Sequence, residues 1–273
     1  MEATTTRTRA AGQHGSLRFT FEPRGGKTVL AGRYSRMPFG AVRANYPDGS
    51  GIPEVQITNP SGGTLGGDRL DLDVSLAPGS SATVLTQAAN KAYRGEASEQ
   101  RADFDIGDDA FLEYLPHHLI PYSGSNYSQE TTFHLAPSAT LLTWDAFAAG
   151  RIARGERFAF ENLYGRTRIF RDGLPEVVDG MDLKGGAERF GGFSYSAAAY
   201  ILAPEELGSL ADELHDLVAG IPGALASASA PTPGLCAVRA LTADAHALYQ
   251  VLNRTRDFVR RFLRLPVPAR EII

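Results

Sequence analysis

Six carboxylates, Asp68, Glu113, Asp145, Glu156, Asp179 and Asp182, are scattered through the chain at irregular intervals. Hard oxygen ligands so spaced suit weak binding or passage of a divalent ion better than a permanent metal site. Patterns for other chemistry are missing. No G-x-S-x-G elbow presents a serine nucleophile, "SGSN" at 123–126 lacks the second glycine, and no H-E-x-x-H pair occurs. His117 and His118 are adjacent, so on a strand they would point to opposite faces and only one could join a given metal site. The lone cysteine, Cys236, rules out an intrachain disulfide and a multi-cysteine metal centre.

Two glycine-rich stretches resemble phosphate cradles and fail on spacing. "GGKT" at 25–28 has Phe21 where a P-loop needs its first glycine, and strand-like "VLAGRY" follows where a helix is required. A hairpin turn is expected there. "NPSGGTLGGDRL" at 59–70 lacks the G-x-G-x-x-G spacing and runs into a strand, which offers an anion no helix dipole. Its glycines therefore serve tight backbone geometry, holding Asp68 and Arg69 in a rigid turn.

The elements that must position these groups are mostly strands. Residues 1–15 are small, polar and aperiodic and read as a flexible tail ahead of one domain spanning 16–273. From Ser16 the chain alternates, and Leu70, Leu72, Val74 and Leu76 recur at every second position with polar residues between them. A turn-then-strand unit recurs where Ala82, Ala110 and Ala139 open "ATVLT", "AFLEYLP" and "ATLLTWD", at spacings of 28 and 29 residues. Such a unit predicts strands stacked coil upon coil or layered in a sandwich. Helices are predicted over about 204–220 and 244–263, with "ASASAPTPG" between them as a loop and "LCAVRAL" as a strand. Arg254, Arg256, Arg260, Arg261 and Arg264 suit the C-terminal part of the second helix, as a solvated face or a partner-binding one. The fold class expected is mainly β, in a layered or helical (β-helix-like) arrangement of many strands, with two α-helices in the C-terminal half.

With 27 Lys plus Arg against 31 Asp plus Glu, the formal charge is −4, with no long block of one sign. That gives nucleic acid and anionic membrane no electrostatic hold. The start has no apolar signal-peptide core and no 18-residue apolar run occurs, so a cytoplasmic location is expected.

Five ordered blocks carry a resemblance: "NPSGGTLGGDRL", "TQAANKAYRG" (86–95), "LEYLPHHLIPYSGSNYSQ" (112–129), "WDAFAAGRIARGE" (144–156), and a C-terminal "VRAL" with a helix and "PAREII". Together, from about Leu17 to the C-terminus, they resemble the urease accessory protein UreD (UreH) family. The resemblance implies a β-rich fold with a pair of helices and a chaperone or scaffold function without catalysis. It implies that apo-urease and UreF are partners, with the GTPase UreG joined through UreF, and that no cofactor is permanently bound. Nickel(II) would pass to the urease active site, by one account along an internal tunnel. Asp68, Asp145 and Glu156 match acidic positions of the family's motifs and become the expected residues lining or bracing that route. "PAREII" departs from the Arg-Ile-Trp ending of many relatives, and the paired histidines match no family role. Two further readings remain: a metal-dependent hydrolase using Asp68, Asp145 and Glu156, and a β-rich binding module unrelated to urease.

Overall fold

The protein is described by a computed structural model over residues 12–272, so the tail expected over 1–15 lies outside the described residues up to position 11. Strands β1 (His14–Arg24) and β2 (Lys27–Arg36) form a hairpin, and His14 and Gly15 already belong to the first strand. Gly25 and Gly26 make its turn with φ of 59° and 78°, the left-handed geometry that glycine adopts freely, so "GGKT" is a hairpin turn. Then come β3 (Gly40–Ala41), β4 (Glu54–Thr58), β5 (Arg69–Leu76), β6 (Ser81–Thr86), β7 (Asn90–Ala92), β8 (Ser98–Ile106) and β9 (Phe111–Leu115). The second half holds β10 (Leu119–Pro121), β11 (Asn126–Leu135), β12 (Thr140–Ala148), β13 (Asn162–Arg171), β14 (Leu174–Lys184) and β15 (Tyr195–Leu202). Helix α1 (Gly208–Ala219), strands β16 (Ala224–Thr232) and β17 (Leu235–Thr242), and helix α2 (Ala245–Phe262) complete the chain.

From β4 to β13 the chain steps repeatedly between two sheets, and each coil lays a strand parallel to the one before. The first sheet has the order β14-β13-β11-β8-β5-β1-β2, and the second β16-β17-β15-β12-β9-β6-β4-β3, with β7 and β10 attached beside β12. The repeat read from the alanines is thus structural, since β6, β9 and β12 are neighbours. Its register differs in the first copy. Phe111 N–H donates to Ser80 O and Thr140 N–H to Ala110 O, so the residue equivalent to Ala110 and Ala139 is Ser80, two before Ala82.

Burial follows from this layering. Leu70, Leu72, Val74 and Leu76 point between the sheets with Phe19, Phe104, Phe133, Leu112 and Leu141. The second sheet is covered on both faces, and β9 and β12 accordingly read as near-continuous apolar runs. Trp144, Ala146 and Ile201 on its outer side meet Leu210, Leu214, Leu248 and Leu252 of the two helices.

Two expectations need correction. "ASASAPTPG" is not a loop throughout: most of it lies in β16, where Ala226 and Ala228 pair with Ala240 and Val238 and pack under α1. Small residues are weak strand formers, and here the ladder to β17 decides the conformation. The first helix begins at Gly208 rather than Pro204, because Ala203 and Leu207 donate their backbone N–H groups to Gly234 O and Pro233 O at the β16–β17 turn. The second helix agrees closely, with the Asp244 side chain capping it by accepting from Ala247 N–H at 2.8 Å.

Candidate functional site

Because Trp144 and Ala146 face the helices, Asp145 between them faces the space between the sheets. The alternation on the opposite sheet brings polar groups to the same place. Gln100 precedes inward Ala102 and Phe104 by the strand period, and Gln129 precedes Thr131 and Phe133 in the same way. Gln129 Nε2 donates to Asp145 Oδ1 at 3.3 Å, and the Tyr127 hydroxyl donates to Gln100 and Gln129 at 3.4 and 3.3 Å. Asp145, Gln100 and Gln129, with Tyr114 and Asn90, border a cavity of about 130 Å³ whose outer wall is the segment 86–91 and His117. Asp145 borders this cavity, and burial raises its carboxyl to about 6, with Asp179 nearby adding to the rise. Burial likewise pushes the Tyr114 and Tyr127 phenols far up. Among the described residues Asp145 is thus the one carboxylate bordering the cavity, set among amide and phenol groups with Lys91 and His117 on the outer wall.

The glycine stretch frames the cavity mouth. Gly62 and Gly63 line it, and a Cβ at Gly63 would lie 2.3 Å from Lys91 O, so only glycine permits this approach. Asp68 is buried in the turn that follows and accepts from Gln13 N–H and Leu65 N–H, both at 2.8 Å. Both carboxylate oxygens are thus committed to main chain. Glu156 lies at the surface, where Arg151 binds it through Nε at 2.7 Å and through Nη2, and Ser123 N–H donates to it at 3.3 Å. Arg151 holds the Glu156 carboxyl below the usual range.

Asp68, Asp145 and Glu156 do not share a site. Neither Asp68 nor Glu156 borders the cavity of Asp145, and no group of three or more His, Cys, Asp or Glu among the described residues is placed to hold a metal. The other carboxylates are also spoken for. Asp179 binds Tyr200 and Arg239, Asp182 lies exposed near Lys184, and Glu113 is fully buried against α2.

The Glu113 environment was not legible from spacing. Arg260 donates through Nε and Nη2 to the two Glu113 oxygens at 2.7 and 2.5 Å, and through Nη1 to Asp48 and Pro266 O, both at 2.8 Å. Thr83 Oγ1 completes the cluster, donating to Glu113 at 2.6 Å. Burial alone would lower the Arg260 pKa, but Glu113 and Asp48 outweigh it and the net shift is upward. Arg256 is buried as well, bound to Asp257 and Arg270 O, while Asn253 exchanges two hydrogen bonds with the Ile272 main chain at 2.9 and 3.0 Å. The arginines of α2 are therefore not one solvated face: two of them, with Asn253, hold the C-terminal segment 266–272 in place.

His117 and His118 sit in the turn between β9 and β10, not on a strand, and both rings approach Tyr249 of α2. His118 Nδ1 is 2.9 Å from the Tyr249 hydroxyl, and burial lowers its pKa to about 4, so it is neutral. Gln87, Ala88, Ala89 and His117 separate the Asp145 cavity from a surface depression of about 680 Å³ bordered by Tyr249, Asn253 and Ile272.

The profile of the family described as UreD urease accessory protein matches residues 13–272. The chain belongs to the UreD family. Named UreD relatives agree: the chain is 32% identical to the urease accessory protein UreD of Klebsiella aerogenes over 92% of its own length and 93% of that protein. It is 37% identical to UreD of a Picosynechococcus strain over 58% of this chain, a match spanning 56% of that relative's length. UreD 2 of Streptomyces griseus is 34% identical over 76% of this chain and 75% of its own. Membership places the chain in a class of accessory proteins to urease, a chaperone-type role rather than a catalytic one. Among the described residues no helix is long and apolar enough to cross a membrane.

Proposed function

We propose that this chain is a scaffold of urease maturation that binds apo-urease and UreF, with UreG joined through UreF, in the cytoplasm. In this reading nickel(II) is cargo and passes through the cavity that Asp145 borders. The observation that carries the nickel step is that Asp145 is the one carboxylate among the described residues bordering the cavity, with amide and phenol groups beside it and Lys91 and His117 on the outer wall, which is partly shared with a surface depression. A single carboxylate with neutral oxygen donors attracts a divalent ion without the several hard ligands that would retain it. Asp68 and Glu156 then act as braces, the first fixing the turn beside the Gly62–Gly63 mouth and the second tying Arg151 to Ser123.

Purified chain is mixed with UreF, UreG and apo-urease, and both complex formation and urease nickel content are measured. Asp145→Ala should leave the complex intact and lower the nickel content. Unchanged nickel content would remove Asp145 from the route, and failure of the wild-type chain to retain either UreF or apo-urease would end the scaffold reading.

A further inference from the structure

The rim where the two sheets end carries a surface unlike the rest of the molecule. Lys27, Arg33, Arg36 and Arg43 fall in one stretch with no Asp or Glu before Asp48, in a chain of net charge −4. Arg33, Arg36 and Arg43 are exposed, and none takes part in an ion pair or side-chain hydrogen bond among the described residues. Interleaved with them are Tyr34, Met37, Val42 and Tyr46, 51%, 60%, 43% and 38% exposed. They are four of the nine large apolar residues exposed among the described residues, gathered within one short segment. Lys27 lies over the Tyr46 ring at 4.9 Å.

The backbone here is also open. β2 ends the first sheet and pairs only with β1, and β3 ends the second and pairs only with β4. At Thr28 the free edge is closed, because Thr28 N–H donates to Gly51 O and Thr28 O accepts from the Tyr46 hydroxyl. Along 33–36 no neighbour other than β1 takes the main-chain groups among the described residues. Charges on an edge strand are an ordinary guard against indiscriminate pairing. Four exposed apolar side chains among them work against that purpose and suit recognition instead.

We propose that this rim is a docking surface for an acidic, extended segment of a partner protein, which adds as a strand beside β2. On β2 Arg33 lies toward one face and Tyr34 and Arg36 toward the other, so the segment's carboxylates lie beside Arg33 and its apolar side chains cover Tyr34 and the stem of Arg36. Charge selects this occupant. A second copy would set the same basic stretch against itself, and like charges across a two-fold contact repel. A nucleic acid would overrun the rim onto the outer face of the first sheet, where Asp71, Asp73 and Asp103 stand with Arg18 and Arg101 around the depression that Tyr34 and Arg36 enter, so no continuous basic track extends the rim. A peptide strand stays on the rim.

The test uses the full chain and fluorescein-labelled peptides of about ten residues with valine or tyrosine at alternate positions and Glu, Ser or Lys between them. In fluorescence anisotropy the Glu peptide should bind at least about tenfold more tightly than the Ser peptide, and the Lys peptide should not bind. Arg33→Glu/Arg36→Glu/Arg43→Glu should weaken the Glu peptide by about tenfold or more, and Tyr34→Ser/Met37→Ser should weaken it while keeping every charge. Amide exchange should slow at 33–36 when the Glu peptide is present. Absence of binding, equal binding to the triple variant, or protection confined elsewhere would overturn the proposal. So would a duplex DNA oligomer displacing the peptide from the rim, or a wild-type dimer in sedimentation that the triple substitution dissociates.

Discussion

Arg260→Met tests whether the buried cluster under α2 stabilises the sheet–helix contact. Arg260 and Glu113 are 2% and 0% exposed, and each N–H-bearing atom of the guanidinium has an acceptor: Glu113, Asp48, Thr83 and Pro266 O. Methionine preserves most of the stem and removes every one of these bonds. Glu113 is then left buried with the Thr83 hydroxyl as its remaining side-chain partner. Removing one member of a buried pair costs about 3–5 kcal/mol, chiefly because the other charge stays buried and unpaired. With a urea dependence of about 3 kcal/mol/M for a chain of this size, the midpoint should fall by roughly 1–1.7 M. Glu113→Leu/Arg260→Met removes both charges, so its loss should be smaller than the sum of the two single losses by about 2 kcal/mol or more. The assay is urea unfolding followed by circular dichroism at pH 7. A single-variant loss within about 0.5 kcal/mol, or strictly additive single losses, would refute the reasoning that a desolvated ion pair fixes α2 to β9.

Two further outcomes follow from the same contacts. Burial raises the Asp145 carboxyl to about 6 from 3.8, so the native state keeps a proton that the unfolded chain releases, and stability falls as pH rises through that window. Asp145→Asn lacks this loss, and its unfolding free energy from urea titration, relative to wild type, should climb between pH 4 and 7 by an amount on the order of 2 kcal/mol; parallel pH profiles would contradict the burial of Asp145. Asn253→Ala removes both hydrogen bonds to the Ile272 main chain, which should cost about 1–3 kcal/mol and speed amide exchange across 266–272. Unchanged exchange there would mean that Arg256 and Arg260 hold the segment without Asn253.

The strand period, the recurring turn-then-strand unit and the Asp244 cap are local signals, and local signals survive in a sequence because adjacent residues carry them. Leu70 to Leu76 alternate visibly, and the apolar runs of β9 and β12 stand out for the same reason. The small residues of β16 gave no such signal, because its conformation depends on β17 and α1 rather than on its own propensity. Gln100 and Gln129 could have been noticed as polar residues in the inward phase of apolar strands. Their meeting with Asp145 could not, since the inter-sheet register sets it.

By itself the sequence determined a β-rich layered chain with two late helices, no recognisable catalytic constellation, and motifs in the order of the UreD family. Only the tertiary structure decided the fate of each charge. It turned Asp68 onto its own turn, left Asp145 bordering a cavity, put Glu156 against Arg151, and buried Glu113 with Arg260, 147 residues away. The physical reason is that desolvation and pairing depend on which distant segments the coils bring together, and spacing along one chain does not encode that distance.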